Sequence, residues 1–267
     1  MKTFLTRSPF LFALATASIA MLCLLWPMWV PGSSQATQII LGRIAICIFA
    51  IGMLTYLGWW RETGFIRPKS WRILLPYLPL LLVVIVAKIT DIASSGIRVT
   101  DLNLILLGLF VYVAGGFMEE AIFRGLVLRT LLPKGLVRAA VLSSLIFAFC
   151  HLFNLTTGAN LYDTILQVTV AFLMGVAFTA PLAVTRNIWP LVFIHALNNF
   201  VGYLAVGGFL NTAATSQSPT LEQVIGEILL PLLLAIYSFW LLRRTERRIL
   251  QKSTAVEERV AVGHVEG

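Results

Sequence analysis

Charged residues are scarce in this chain. Asp, Glu, Lys and Arg make up 12% of the 267 residues, whereas soluble domains average about 25%. Apolar residues reach 58%, and the mean hydropathy is +0.88. This composition excludes an ordinary soluble domain and indicates an integral membrane protein. The net charge of +8 does not indicate a nucleic-acid partner, because the basic residues lie between and beside the apolar segments.

Cysteine and histidine are also scarce, with three of each. Cys23, Cys47 and Cys150 lie inside apolar runs, without the spacing of a zinc knuckle or of a disulfide framework. Free thiols packed in helices are therefore the favoured interpretation. The sequence also lacks a glycine-rich phosphate loop, a dinucleotide-binding fingerprint, internal repeats and low-complexity tracts.

Eight apolar segments are each close to the roughly 20 residues that a membrane-spanning helix needs. The segments are 9–30, 38–60, 73–93, 102–120, 138–153, 163–184, 188–206 and 223–242. The first is too long for the apolar core of a usual signal peptide, so we interpret it as a span. The predicted fold is an all-α polytopic bundle of about eight transmembrane helices.

Loop charge predicts the orientation of these spans. Arginines and lysines are concentrated in the 61–72 loop, in the 121–137 connection, at Arg186 and in the tail, whereas the opposite loops carry almost none. The positive-inside rule then places both termini in the cytoplasm. We predict a multi-pass protein of a bacterial cytoplasmic membrane, a location that the short loops permit. We also expect a flexible outer loop at 207–220 and a mobile tail from residue 252.

Two adjacent carboxylates, Glu119 and Glu120, lie with Arg124 at the end of the fourth segment. Insertion of a charge at the centre of a bilayer costs about 2.5–3.5 kcal/mol, so such groups are candidate functional residues. Glu120 and Arg124 are spaced i, i+4 and can pair on a helix. Glu119 points about 100° away and is free to face another group. An interfacial ion pair is the alternative interpretation of these three residues alone.

Two further polar pairs lie in later spans. Phe147 and His151 share one helix face, and so do His195 and Asn199, because both pairs are spaced i, i+4. Each histidine alone fits an ordinary interhelical hydrogen bond. Their concentration near the carboxylate pair, in one half of the chain, favours a functional site.

Hydrolysis is the chemistry that these groups support. A carboxylate can act as general base toward water, and a histidine can orient that water or protonate a leaving amine. A second histidine and an amide can stabilise an oxyanion. Glu119, His151 and His195 also match the ligand set of a catalytic zinc, without the local spacing of zinc peptidases. Covalent catalysis is disfavoured, because the side chains of Cys150 and His151 diverge by about 100°.

These motifs resemble those of the intramembrane CAAX protease and bacteriocin-processing family, also called the CPBP or ABI family. The family pattern is Glu-Glu-x-x-x-Arg, then Phe-x-x-x-His, then His-x-x-x-Asn or Asp, and every position is filled here. The similarity covers about residues 100–205. It divides the chain into N-terminal helices (1–100), a catalytic core (101–206), and a last helix with a basic tail (207–267).

The resemblance implies an α-helical intramembrane endopeptidase with a water-filled active-site cavity open to the cytoplasm. It implies that Glu119 is the general base, assisted by His151, and that His195 and Asn199 stabilise the oxyanion. Eukaryotic relatives cleave the C-terminus of prenylated proteins, and bacterial relatives process peptides or act in bacteriocin maturation or immunity. The implied partners are a peptide or protein substrate and the lipid bilayer.

The resemblance also implies supporting roles and leaves the cofactor open. Glu120 and Arg124 would hold the site together, and Phe147 would pack beside it. Family members are often labelled metalloproteases, while a metal-free glutamate mechanism has also been proposed. A divalent metal such as zinc therefore stays open.

Two other functions are compatible with the sequence. A non-catalytic membrane partner, such as an immunity protein or a scaffold, could retain the motifs as packing. A proton-coupled transporter could use intramembrane Glu and His as a proton relay. The paired broken helices of many transporters are not evident in this sequence.

Overall fold

The computed structural model describes residues 7–207 and 221–263, and every regular element of secondary structure in these ranges is a helix. The α-helices are α1 (Pro9–Leu25), α2 (Gln35–Leu57), α3 (Leu78–Ser95), α4 (Leu102–Glu119), α5 (Leu128–Leu131), α6 (Leu136–Cys150), α7 (Leu161–Thr185), α8 (Trp189–Val206) and α9 (Leu221–Gly263). All except α5, which is a single turn, are long.

Seven helical stretches in the described ranges are long and apolar enough to cross a membrane. The remaining long helix, α8, packs against α3 and α4 within the bundle. The structure therefore confirms the predicted polytopic helix bundle. Membrane orientation and the division into three parts remain predictions.

Polar residues set the starts of several helices. Ser34, Asp101 and Asn160 each accept a hydrogen bond from a backbone N–H in the first turn of α2, α4 and α7. Such caps satisfy N–H groups that have no partner within the helix. Gly58 ends α2 with a φ of 70°, a conformation that glycine adopts readily.

The fourth span is longer than the sequence analysis predicted. Instead of leaving the bundle after residue 120, the chain continues as a π-helical segment (Glu120–Val127) and then as α5. All eight residues of the π-helical segment are buried, and they pack against α1 and α2. The predicted 121–137 connection is therefore largely part of the core, and π-turns of this kind often occur at functional sites.

Two other expectations concern the end of the chain. The predicted mobile tail from residue 252 is helical as far as Gly263, because α9 continues beyond its apolar part. The predicted outer loop falls almost entirely on residues 208–220, which lie outside the described residues.

The turn between α7 and α8 is fastened to the loop that follows α2. Asn187 is fully buried, and its Nδ2 donates to the Ile66 carbonyl at 2.8 Å. The Asn187 Oδ1 accepts from the Trp189 N–H at 3.1 Å, and the Tyr77 hydroxyl donates to the Asn187 carbonyl. Because α8 begins at this turn, these bonds position the helix that carries His195.

Asn187→Ala should lower the free energy of unfolding by about 1–3 kcal/mol, because it removes both side-chain bonds and leaves buried partners unsatisfied. Thermal unfolding in detergent measures the effect. The matched control is Asn103→Ala, at an exposed position of α4, where a change within about 0.5 kcal/mol is expected. Equal unfolding midpoints for the two variants would contradict the role of the turn.

Helices α4 and α8 approach closely at Gly116. A Cβ atom at Gly116 would lie 2.9 Å from the Ala196 nitrogen and 2.9 Å from the Val192 oxygen. The neighbouring Gly115 differs, because its Cβ would meet nothing closer than Arg43 at 3.8 Å. Close helix approach through small residues is common in membrane bundles, and here it requires Gly116.

Gly116→Ala should therefore lower the free energy of unfolding by about 1–3 kcal/mol through overpacking, whereas Gly115→Ala should be tolerated. Thermal unfolding of the two single variants tests this contrast. Equal destabilisation by both substitutions would mean that the close approach at Gly116 is not what limits the packing of α4 on α8.

Candidate active site

The structure brings most of the motif residues together from three parts of the bundle. Glu119 ends α4, and Glu120 and Arg124 lie in the π-helical segment that follows. His151 begins the 3-10 turn after α6, one helical turn beyond Phe147. His195 and Asn199 lie on α8, and the Gly116 contact allows α8 to approach the carboxylates.

His195 lies between the two adjacent carboxylates. Its Nδ1 is 2.7 Å from Glu120 Oε1, and its Nε2 is 3.4 Å from Glu119 Oε2. The Glu120 side chain is 0% exposed, whereas that of Glu119 is 18% exposed. The two carboxylates therefore share one histidine but differ in their access to solvent.

Arg124 approaches Glu120 from the other side. Its Nη1 lies 3.3 Å from Glu120 Oε1, which is the i, i+4 pair that the sequence predicts. The guanidinium carbon lies 4.5 Å from the ring centroid of Phe147 and 5.1 Å from that of Phe178, in cation–π contacts. With His195 in its imidazolium form, two carboxylates and two cations sum to zero charge in a buried setting.

Arg124 nevertheless lacks directional hydrogen bonds. Within the described ranges, neither of its terminal nitrogens has a hydrogen-bond partner, and Glu120 Oε2 has none either. The 3.3 Å contact with Glu120 is therefore an electrostatic pairing without hydrogen-bond geometry. Buried donors of this kind normally find an acceptor.

Aromatic rings enclose the charged groups. The Phe147 ring lies 4.9 Å from those of Phe123 and His151 and 6.4 Å from that of His195, in edge-on arrangements. The Phe178 ring lies 5.4 Å from His195. Phe147 belongs to a predicted motif, whereas Phe178 was not predicted, because nothing in the apolar sixth segment distinguishes this phenylalanine from its neighbours.

His151 and Asn199 are half-buried and have definite hydrogen-bond roles. His151 Nδ1 lies 3.0 Å from the Phe147 carbonyl, which can only accept, so Nδ1 carries the hydrogen and Nε2 is the acceptor of a neutral ring. Asn199 Oδ1 accepts from Asn198 Nδ2 at 3.0 Å, which leaves the Asn199 Nδ2 available to donate. The two side chains present one acceptor and one donor.

The structure pairs Glu119 with His195 instead of His151. Among residues 7–207 and 221–263, no hydrogen bond or ion pair joins Glu119 to His151. The physical reason is local: α6 ends at Cys150, and the His151 ring turns back to the carbonyl of its own helix. Glu119 is thus oriented from α8.

The three candidate metal ligands do not form a metal-binding cluster. Both ring nitrogens of His195 face carboxylates, and His151 Nδ1 bonds a backbone carbonyl. No group of three or more His, Cys, Asp or Glu side chains in the described part of the chain is arranged to hold a metal ion. This arrangement of Glu119, His151 and His195 does not fit the zinc centre that the sequence left open.

Arg43, an arginine inside the second span, was not among the predicted site residues. Its Nη1 lies 3.9 Å from the sulfur of Met118, the residue before Glu119, and its side chain passes beside Gly115. A single arginine in an apolar run was the available signal, since such residues mark functional sites in membrane helices.

Glu120→Gln should destabilise the fold by about 3–5 kcal/mol, because it leaves the buried Arg124 charge uncompensated. Glu119→Gln should cost much less, because this side chain keeps access to solvent. The measurement is thermal unfolding of both variants in the same detergent. A Glu119 variant that unfolds earlier than the Glu120 variant would contradict the assignment of the structural role to Glu120.

The residues of this site lie in the part of the chain that is similar to a known protein family. Residues 101–201 match the family model described as Type II CAAX prenyl endopeptidase Rce1-like. No curated protein and no solved structure shows significant similarity to the chain. The match contains all three motifs, and it confirms the family resemblance that they predicted. Residues 101–201 of this multi-pass membrane protein are therefore similar to the Rce1-like family of CAAX endopeptidases.

Proposed function

We propose that the chain hydrolyses a peptide bond near the membrane surface with a water molecule activated by Glu119. The observation that carries this proposal is that His195 contacts both carboxylates, while the two carboxylates differ in burial. Glu120 is fully buried against Arg124, and Glu119 is oriented by the same histidine while its side chain stays 18% exposed. A general base must reach both water and substrate, and of the two acids Glu119 meets this condition.

In this mechanism Glu119 removes a proton from water, and the water oxygen attacks the carbonyl carbon of the scissile bond. A tetrahedral oxyanion forms. When the C–N bond breaks, the proton on Glu119 passes to the leaving amine, which yields one carboxylic acid and one amine and restores the Glu119 carboxylate. His195 orients Glu119, while Glu120, which is paired with Arg124, holds the other ring nitrogen of His195.

The half-buried His151 and Asn199 complete the proposed site. The Nε2 of His151 accepts a hydrogen bond from the attacking water and aligns it. The Nδ2 of Asn199 donates to the developing oxyanion, a contribution typically worth about 10²–10³ in rate. Because both nitrogens of His195 are directed to carboxylates, we assign this histidine to positioning instead of the oxyanion role implied by the resemblance.

The substrate that we propose is a peptide or protein at the membrane, processed near its C-terminus. The family match supports a CAAX-type endopeptidase in general. A lipid anchor on the substrate would hold the scissile bond at the depth of Glu119, which ends α4. Peptide processing of the bacteriocin type uses the same chemistry.

Glu119→Gln should lower the rate of cleavage of a prenylated CAAX peptide by at least about 10²-fold, because the amide cannot accept the proton from water. The assay uses a fluorogenic peptide with protein reconstituted in vesicles, and thermal unfolding confirms that the variant is folded. The control is Asp163→Asn, an exposed carboxylate at the start of α7, which should retain full activity. Full activity of folded Glu119→Gln would exclude the proposed base.

Asn199→Ala should lower the same rate by about 10²–10³ with little change in KM, because its amide acts mainly on the oxyanion. The matched control is Asn103→Ala, the same substitution at an exposed position of α4. A loss that is equal in both variants, or confined to KM, would contradict an oxyanion role for Asn199.

A further inference from the structure

A cavity of about 680 Å³ lies beside the candidate active site. Its walls come from the 61–64 loop, from α5 and the connection to α6, from the end of α7 and from α9. Arg124 is the single motif residue in its lining, and neither Glu119 nor His195 contributes. The cavity is therefore a separate space that shares one wall with the site.

The lining of the cavity is basic. It contains Arg61, Arg129 and Arg186 in addition to Arg124, with two acids, Glu62 and Glu246. Arg129 already pairs with Glu62, so this arginine and this acid compensate each other. The Arg61 and Arg186 side chains are exposed, and they form no ion pair within the described residues.

The second acid of the lining is also engaged. Glu246 Oε1 accepts a hydrogen bond from the Val137 N–H at 3.2 Å, in the first turn of α6. A carboxylate at a helix N-terminus is favourably placed toward the helix dipole. Neither acid is therefore available to Arg61 or Arg186, and these two charges remain for a ligand.

Arg124 supplies donors at the wall shared with the active site. Its side chain is 1% exposed, and both of its terminal nitrogens are buried without a hydrogen-bond partner in the described ranges. A guanidinium offers five N–H donors and no acceptor. Their unused capacity next to a cavity points to acceptor oxygens of a bound molecule.

The remaining lining is apolar and reaches the outside of the bundle. Leu128, Leu132 and Leu182 form part of the wall, and Ile249 and Leu250 of α9 line the cavity while being 50% and 60% exposed. A ligand of this cavity therefore has both an anionic group and an apolar chain. Basic pockets between transmembrane helices bind anionic lipid head groups in this way.

We propose that this cavity binds an anionic phospholipid. Its phosphate lies against Arg61 and Arg186, its glycerol ester oxygens face Arg124, and an acyl chain leaves along Ile249 and Leu250. A lipid fits better than a peptide substrate, because the apolar side of the cavity lies on the exposed surface of α9 and the proposed base is absent from the lining. The inference does not depend on the proposed peptidase activity.

The test measures binding of phosphatidylglycerol to purified full-length protein in phosphatidylcholine nanodiscs, by native mass spectrometry. Arg61→Gln with Arg186→Gln should weaken binding about 25-fold, since each basic residue near an anionic lipid contributes about fivefold. The matched control is Arg67→Gln with Arg72→Gln. This pair makes the same change of charge at exposed positions in the chain just beyond the 61–64 loop, outside the cavity.

Selective loss in the cavity pair, with binding retained by Arg61→Lys and Arg186→Lys, supports the proposal. Equal loss in both Gln pairs would overturn it, since it would show general surface attraction. Lack of phosphatidylglycerol binding by the wild-type protein would also overturn it. Competition that depends on the free carboxylate of a C-terminal peptide, with no lipid bound, would assign the cavity to a peptide terminus instead.

Discussion

Compensation of charge inside an apolar bundle is the constraint on which this structure depends. Two adjacent carboxylates would be costly in this environment without nearby cations. Arg124 supplies one cation, His195 contacts both carboxylates through its ring nitrogens, and Glu120 contacts both Arg124 and His195. The contacts of His195 also join the end of α4 to α8. The same side chains therefore compensate charge and hold the two helices together.

The residues packed around this cluster determine the positions of its members. The lack of a side chain at Gly116 lets α8 lie close to α4, and the buried Asn187 fixes the point where α8 begins. The rings of Phe147 and Phe178 lie against the Arg124 guanidinium in cation–π contacts. Glu120 is fully buried in these contacts, and Glu119 is the more accessible of the two acids. This difference in accessibility allows the two neighbouring carboxylates to have different roles.

Much of this arrangement was predictable, and the rest depended on tertiary contacts. Hydropathy located most of the helices to within a few residues but ended the fourth and the last too early. The i, i+4 spacing predicted the Glu120–Arg124 pair. The partner of Glu119 was not predictable, because it depends on the position of α8 relative to α6 and on the residue at which α6 ends. The burial of all of residues 121–131 except Arg129 was missed, because basic residues among leucines also fit an interfacial helix end.

The π-helical segment has a consequence for comparing sequences. Its hydrogen bonds run from i to i+5, so each of its turns contains more residues than an α-turn. The angle between Glu119 and Arg124 therefore depends on the number of residues in this segment as well as on their identity. A homologous chain that is one residue shorter here would keep recognisable motifs while its carboxylate and arginine pointed to different neighbours.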